Sequence, residues 1–143
     1  MNQPHFFIDS NLWLYSLVPD PTQADDQRKR EQVISLINPI TPIVSTQVIN
    51  EVCSVLQRKA KFQESQIRQL VQVFSDRCVI VELTSDTLIN ASDLRLRYGF
   101  SFWDGLIVAS AIGANATILY SEDMQDGLLV EQQLRIINPL NGL

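Results

Sequence analysis

One stretch of the sequence decides the fold: Ser101-Phe-Trp-Asp-Gly-Leu-Ile-Val-Ala-Ser-Ala-Ile-Gly-Ala-Asn-Ala-Thr-Ile-Leu-Tyr-Ser-Glu-Asp123. Residues 105–117 include no charged residue, and a helix that is apolar or small on every side is a buried helix. Residues 116–120 then have the β-rich composition of a short buried strand. The stretch therefore predicts a buried helix that Asp104 opens and a buried strand that Asp123 follows.

Two acidic residues lie on predicted apolar helix faces. Asp104 is one of them, and Glu51, in a predicted helix over residues 45–59, is the other. A carboxylate on an apolar face costs free energy unless a partner satisfies it, so both residues point to a site. The apolar residues on the same faces are Ile107, Val108 and Ala111 for Asp104, and Val48, Val52 and Val55 for Glu51.

Predicted strands alternate with predicted helices along the chain. The strands cover residues 5–8, 43–44, 78–83, 116–120 and 134–138, and the last is expected at an edge of the sheet. The helices cover residues 12–17, 24–37, 45–59, 63–75 and 84–98, in addition to the one that Asp104 opens. This alternation predicts an α/β fold with helices on both faces of a mostly parallel sheet of four to five strands. A chain of 143 residues is expected to form a single domain over residues 1–143.

Composition excludes several classes of protein. The formal net charge of −5 argues against binding nucleic acid by bulk charge, so any RNA contact needs local basic clusters or a bound cation. Cys53 and Cys78 are far apart and belong to no Cys-x-x-Cys pattern, which excludes a zinc or redox motif. His5 is the only histidine, and its place before an apolar strand suits a solvated or capping role better than catalysis with a serine. Because no apolar run is long enough to span a bilayer and no leader pattern is present, we expect a cytoplasmic protein without a membrane partner.

Four acidic residues are expected to meet at one edge of the sheet. Asp9 follows the first predicted strand and Asp123 follows the fourth, while Asp104 and Glu51 lie on flanking helices. In open α/β sheets, ligands bind at the carboxyl ends of the strands, near the change in strand order. Two carboxylates about 4 Å apart repel each other by roughly 4 kcal/mol at an effective dielectric of 20, so such a group needs a cation or added protons. Oxygen ligands without His or Cys select a hard ion, Mg²⁺ or Mn²⁺, which can activate a water and stabilise charge on a phosphoryl group.

The sequence resembles the PIN-domain ribonucleases, and especially the VapC-type toxins of bacterial toxin–antitoxin systems. The resemblance extends from Phe7 to about Asn138, and the matching segments are Phe7-Ile-Asp9-Ser-Asn11, Asn50-Glu51-Val52, Ser101-Phe-Trp-Asp104 and Ser121-Glu-Asp123. It implies a PIN-like three-layer α/β/α fold and an endoribonuclease that cleaves RNA phosphodiester bonds with a metal-activated water.

The resemblance also implies roles for particular residues and partners. Asp9, Glu51, Asp104 and Asp123 would be the catalytic residues and would bind one or two Mg²⁺ or Mn²⁺ ions. Asn11 and Ser121 would orient these ligands. Asp126 is a weaker candidate ligand, because a Gln-Asp-Gly turn explains an aspartate there without any metal. The implied partners are an RNA substrate, a second copy in a homodimer, and a small antitoxin that covers the acidic cleft through a basic side chain.

Two other functions remain open from the residues alone. A phosphatase or phosphotransfer domain would use Asp9 as its nucleophile, but such domains usually have a second aspartate two residues later, where this chain has Asn11. A non-catalytic scaffold that binds RNA or a partner would keep the fold without needing all four acids. The candidate RNA contacts are Arg28-Lys29-Arg30, Arg58-Lys59-Lys61, and Arg95 with Arg97, and each of these clusters fits a solvated surface equally well.

Overall fold

Six strands form one sheet in the computed structural model, which describes residues 5–18 and 22–141. In chain order they are β1 (Phe6–Ile8), β2 (Ile43–Ser45), β3 (Val79–Val81), β4 (Ile118–Tyr120), β5 (Leu129–Val130) and β6 (Leu134–Ile137). Their order in the sheet is β3-β2-β1-β4-β6-β5. All neighbouring strands are parallel except β5 and β6, which are antiparallel, so the prediction of a mostly parallel sheet is confirmed.

The described part of the chain also forms six helices. They are α1 (Ser10–Leu17), α2 (Ala24–Ile37), α3 (Thr46–Lys59), α4 (Glu64–Arg77), α5 (Ser85–Tyr98) and α6 (Phe102–Gly113). Helix α5 ends at Gly99, whose φ of 74° lies in the left-handed region that glycine adopts without strain. Among residues 5–18 and 22–141, no helix has the length and apolar character needed to cross a membrane.

The strand order fixes where the helices lie. Strands β1, β2 and β3 follow one another in the sheet as they do in the chain, whereas β4 lies on the other side of β1. Right-handed crossovers therefore place α1 to α4 on one face, and the return to β4 places α5 and α6 on the other. The packing agrees, because α1 contacts α2 and α3, α3 contacts α4, and α5 contacts α6. The strand order reverses between β1 and β4, which is where ligands bind in this class of sheet.

Helix α6 and strand β4 are at the centre of the core, as the sequence predicts. Every residue from Gly105 to Ala111 is buried, and Leu119 of β4 has no exposed surface. Gly105 allows α6 to approach α5 closely, since a Cβ at that position would lie 2.6 Å from Cγ of Arg95 and 3.3 Å from the carbonyl oxygen of Ala91. The glycine that follows Asp104 thus holds the start of α6 against α5.

The structure corrects the predicted sheet in two respects. It has six strands where four to five were predicted, and the strand near residues 134–138 is not at the edge. Strand β6 lies between β4 and β5, and β5 forms the edge instead. The reason is that β5 has only two residues, too few for the alternation of apolar and polar residues that identifies a strand in a sequence. Helix α1 also begins at Ser10, two residues earlier than predicted.

Candidate active site at the carboxyl edge of the sheet

The carboxyl ends of β1 and β4 lie side by side. Their register pairs Ile8 with Tyr120, and the N–H of Asp9 donates a hydrogen bond of 3.0 Å to the carbonyl of Tyr120. Asp9 directly follows β1 and Ser121 directly follows β4, so both residues lie at the edge where the strand order reverses.

Asp9 occupies the centre of this edge. Its Oδ1 accepts a hydrogen bond of 2.7 Å from the N–H of Ser10, which makes Asp9 the N-cap of α1, and its Oδ2 accepts one of 2.9 Å from Oγ of Ser121. Burial raises the pKa of Asp9 from its ordinary value of 3.8 to about 6, against the lowering effect of these two hydrogen bonds. The negative charges of Glu51 and Asp104 also contribute to this raised pKa, so these two carboxylates lie close enough to Asp9 to act on it.

Ser10 connects Asp9 with Glu51. While its N–H binds Asp9, its Oγ donates a hydrogen bond of 2.6 Å to Oε2 of Glu51. The other oxygen of Glu51 accepts a hydrogen bond of 2.8 Å from Nε2 of Gln47, one turn earlier on α3. Both oxygens of this half-buried carboxylate are therefore held from opposite sides.

Asp104 reaches the edge from the other face of the sheet. It lies in the first turn of α6, where its N–H donates a hydrogen bond of 3.2 Å to Oγ of Ser101, the N-cap of the helix. A carboxylate in the first turn is stabilised by the unpaired N–H groups of that turn. The N-terminus of α6 thus partly stabilises the Asp104 carboxylate, which the sequence had placed on an apolar helix face.

Asp123 is exposed at the outer end of the same edge. Nδ2 of Asn11, in the first turn of α1, donates a hydrogen bond to Oδ2 of Asp123. Asn11 and Ser121 therefore each bind one of the candidate acids, Asn11 binding Asp123 and Ser121 binding Asp9.

The sequence profile of the PIN domain family matches residues 6–125. The chain belongs to the PIN domain family. A comparison with curated protein sequences finds no significant match.

Three solved structures illustrate what this PIN domain resembles. A toxin–antitoxin complex from Klebsiella pneumoniae has a TM-score of 0.67 at 15% identity, covering 94% of this chain and 97% of the other. The sarcin–ricin loop cleaving toxin VapC20 of Mycobacterium tuberculosis has a TM-score of 0.61 at 18% identity, covering 82% and 89%. VapBC2 of Rickettsia felis, bound to a DNA fragment from its promoter, has a TM-score of 0.59 at 17% identity, covering 93% and 98%. At these identities the similarity establishes the PIN fold, in agreement with the family that the sequence motifs indicate.

Asp126 makes its contacts away from the other acids of the PIN domain. Its Oδ1 accepts a hydrogen bond of 2.9 Å from the N–H of Asn138, and its Oδ2 accepts one of 2.7 Å from Nδ2 of Asn141. These hydrogen bonds, the one from Asn138 first, lower the pKa of Asp126. Its carboxylate thus ties the turn after β4 to the segment after β6, which accounts for the residue without a metal.

The four remaining acids fit a hard cation by their chemistry. As they are placed, no three acidic, histidine or cysteine side chains of the described residues stand close enough together to hold an ion. The oxygens of Asp9 and Glu51 each accept one hydrogen bond, which leaves lone pairs free on both carboxylates because a carboxylate has about four acceptor positions. All the atoms of these four side chains that could bind a metal ion are carboxylate oxygens, which are the ligands that Mg²⁺ and Mn²⁺ prefer.

A cleft opens beside Glu51 and leads to this edge. Its volume is about 400 Å³, and among its lining residues Arg58 is the basic one. The other residues that line it include Ser10, Asn11, Asn50, Glu51 and Ser54. The cleft thus gives access to Glu51, and to the residues that bind Asp9 and Asp123, from the side of α3.

Sequence reasoning missed two residues that hold the candidate acids. Ser10 could not have been found, because nothing in its local sequence indicates a contact with a residue 41 positions away. Gln47 could have been found, since it lies four residues before Glu51 and helical spacing brings such residues together.

Proposed function

We propose that this PIN domain is an endoribonuclease that uses Mg²⁺ or Mn²⁺ to cleave RNA phosphodiester bonds, and that it is the toxin of a toxin–antitoxin pair. The observation that carries this proposal is the half-buried Asp9 at the reversal of strand order, with its pKa raised and the charges of Glu51 and Asp104 acting on it. Nucleases of the PIN domain family generally use divalent metal ions. The solved structure described as a toxin that cleaves the sarcin–ricin loop supports RNA as the substrate.

The residues of the edge divide into ligands and groups that orient them. Asp9, Glu51, Asp104 and Asp123 would hold the ion. When bound, the ion supplies an activated water and stabilises the charge that develops on the phosphoryl group. Ser121 orients Asp9 and Asn11 orients Asp123 through the hydrogen bonds described above. Ser10 and Gln47 fix the direction of Glu51 in the same way.

The partners follow from the same comparisons. Two of the similar structures are toxin–antitoxin assemblies, which supports a small antitoxin as a partner. From the family resemblance, we propose that this antitoxin places a basic side chain against the candidate acids. We propose in addition that the protein is a cytoplasmic homodimer in which residues 1–143 form one domain.

Metal binding is the first test, because it needs no knowledge of the RNA. We expect Mn²⁺ at about a hundred times its dissociation constant to stabilise the wild type by about 2.7 kcal/mol relative to EDTA, which raises the melting temperature by several degrees. Asp104→Asn should lose most of this shift. Asp93→Asn, an exposed acid on α5, is the matched control and should respond as the wild type does. Absence of a shift in the wild type at millimolar Mn²⁺ would remove the metal from the proposal.

Cleavage of single-stranded and hairpin RNAs completes the test. The wild type should cut in Mn²⁺ and not in EDTA, and Asp104→Asn should not cut in either. A wild type that binds Mn²⁺ and RNA but leaves the RNA intact would instead be a non-catalytic scaffold.

Arg58 is expected to contact the RNA backbone. It is the basic residue in the wall of the cleft beside Glu51, and its Nε donates only a long hydrogen bond of 3.4 Å to Oγ of Ser54. We expect Arg58→Ala to lower the cleavage rate at subsaturating RNA by roughly tenfold and to reduce the salt dependence of RNA binding by about one phosphate contact, without changing the Mn²⁺ shift. Lys59→Ala, an exposed residue beside it, is the control. Equal losses in both variants would mean that diffuse charge, and not a contact in the cleft, holds the RNA.

A further inference from the structure

A half-buried ionic cluster lies beside the candidate active site. Nζ of Lys29 is 2.8 Å from Oε2 of Glu122, and the hydroxyl of Tyr15 donates a hydrogen bond of 2.7 Å to Oε1 of the same carboxylate. Lys29 also donates to the Tyr15 hydroxyl over 3.2 Å and lies 4.9 Å from the centre of its ring. Each oxygen of Glu122 thus has its own partner, and the three side chains close a ring of contacts.

This cluster differs from the other ion pairs of the described residues. The side chains of Lys29 and Glu122 are 25% and 20% exposed, whereas those of Arg28 and Asp25, in the adjacent pair on α2, are 62% and 70% exposed. Exposed pairs contribute little to stability because water and salt screen them. A shielded pair with both carboxylate oxygens bound holds its geometry more firmly, and losing one partner leaves a charge without compensation.

The position of Glu122 connects the cluster to the site. It lies between Ser121, which binds Asp9, and Asp123, which binds Asn11. Three consecutive residues after β4 therefore bind the segment that begins with Asp9 and continues through α1. Asn11 and Tyr15 are four residues apart on α1, so they lie on one face of the helix and receive Asp123 and Glu122 side by side.

We propose that Tyr15 and Lys29 are positioning residues for the active site. By fixing Glu122, they hold residues 121–123 in the register at which Ser121 reaches Asp9 and Asp123 lies beside Asn11. They also direct the Glu122 carboxylate toward α2, so that it does not compete with Asp123 for the ion. The part that concerns the metal rests on the function proposed above, whereas the part that concerns the register of residues 121–123 does not.

The test of the register needs no metal. The N–H of Ser121 donates to the carbonyl of Ile137 over 3.0 Å, so its hydrogen exchange reports on the placement of this segment. In EDTA, we expect Lys29→Met to speed exchange at Ser121 by at least tenfold more than it speeds exchange of the core amides of α6. Arg28→Met breaks the exposed ion pair on the same helix and should leave the exchange rates at Ser121 and in α6 unchanged. Equal acceleration at Ser121 and in α6 would indicate only a general loss of stability and would overturn the proposal.

The test of the metal part is the dissociation constant for Mn²⁺, measured by calorimetry at 25 °C on variants shown to be folded. Groups that orient metal ligands typically contribute 10- to 100-fold to metal affinity, so Lys29→Met should weaken Mn²⁺ binding by about tenfold or more, and Lys29→Arg should restore part of the loss. Because Lys29 acts through Glu122, adding Lys29→Met to Glu122→Gln should change the affinity little further. If the losses of Mn²⁺ affinity in the two single variants add up in the double variant, Lys29 does not act through Glu122.

Two further outcomes keep the proposals separate. If the wild type neither binds Mn²⁺ nor cuts RNA, the proposed function fails, and exchange at Ser121 still decides whether the cluster sets the register. If Lys29→Met does not fold, Tyr15→Phe takes its place, because it removes only the hydroxyl that bonds to Glu122 and should produce a smaller change of the same kind.

Discussion

Asp9→Asn is expected to stabilise the metal-free protein by up to about 3 kcal/mol at neutral pH and to abolish RNA cleavage. The pKa of Asp9 is raised from 3.8 to about 6, roughly two units, and each unit corresponds to about 1.4 kcal/mol that the ionised carboxylate costs the folded state. Asparagine keeps the oxygen that accepts from the N–H of Ser10 and removes the poorly solvated charge. It also removes a proposed metal ligand at the centre of the site, which is why stability and activity should move in opposite directions.

The stability gained by Asp9→Asn should increase with pH. A carboxyl group whose pKa is higher in the folded state binds its proton more readily there than in the unfolded chain. Below about pH 4 the group is protonated in both states, so Asp9 costs nothing and the substitution should have its smallest effect. Between about pH 4 and pH 6 the ionisation of Asp9 should cost the folded wild type progressively more stability as pH rises, and above pH 6 the difference between variant and wild type should be complete.

Denaturant unfolding in EDTA from pH 4 to pH 8 measures this difference. Asp126→Asn is the control, and it should change stability in the opposite direction. The hydrogen bonds from Asn138 and Asn141 lower the pKa of Asp126, so the folded state favours its ionised form. An Asp9→Asn variant that is less stable than the wild type at pH 8, or that still cuts RNA, would show that Asp9 is a structural cap and not a strained ligand.

Ser121→Ala is expected to weaken Mn²⁺ binding by 10- to 100-fold and to destabilise the metal-free protein. Ser121 is fully buried, and its Oγ donates to the ionised oxygen of Asp9 over 2.9 Å. Hydrogen bonds to charged groups are worth about 1.5–3 kcal/mol, and a metal ligand that loses the group orienting it binds more weakly. Since the hydrogen bond from Ser121 lowers the pKa of Asp9, its loss should raise that pKa further, and the destabilisation should be larger at pH 8 than at pH 4.

A second buried serine provides the control for this substitution. Ser110 lies in α6 with 4% of its surface exposed, and its Oγ has no hydrogen-bond partner among the residues that the structure describes. Ser110→Ala should therefore be neutral or stabilising, although it removes the same atom from a comparable depth. Unfolding free energies and Mn²⁺ titrations of the two variants, alone and combined with Asp9→Asn, give the coupling between Ser121 and Asp9. Coupling near zero would mean that Ser121 acts through packing alone.

The sequence was sufficient to predict the architecture around the site. The uncharged run in α6 predicts its burial, and alternation of strands and helices predicts the parallel sheet, because both depend on the local pattern of apolar residues. Parallel strands end at one edge, which is why Asp9 and Asp123 were expected there together. The family motifs then indicated the PIN domain, and the match over residues 6–125 confirms that family.

The contacts that orient the acids could not be predicted in the same way. Ser10 bonds to a residue 41 positions away, and Lys29 bonds to Glu122 across 93 positions. Such partners depend on the exact placement of helices over the sheet, which periodicity does not determine. In the sequence, Lys29 belonged to a basic cluster and suggested either RNA binding or a solvated surface, but the structure shows it half-buried against Tyr15 and Glu122.

Pairing of β1 with β4 joins opposite ends of the chain, and this has a consequence for synthesis. The contacts between Ser121 and Asp9 and between Asp123 and Asn11 each span 112 residues. During translation, domains fold as the chain emerges, and contacts so distant in sequence form last. While residues 118–123 are still inside the ribosome, β1 cannot pair with β4 and Asp9 cannot accept the hydrogen bond from Ser121. The proposed RNA-cleaving site therefore cannot assemble before residues 118–123 have emerged from the ribosome and β4 has paired with β1.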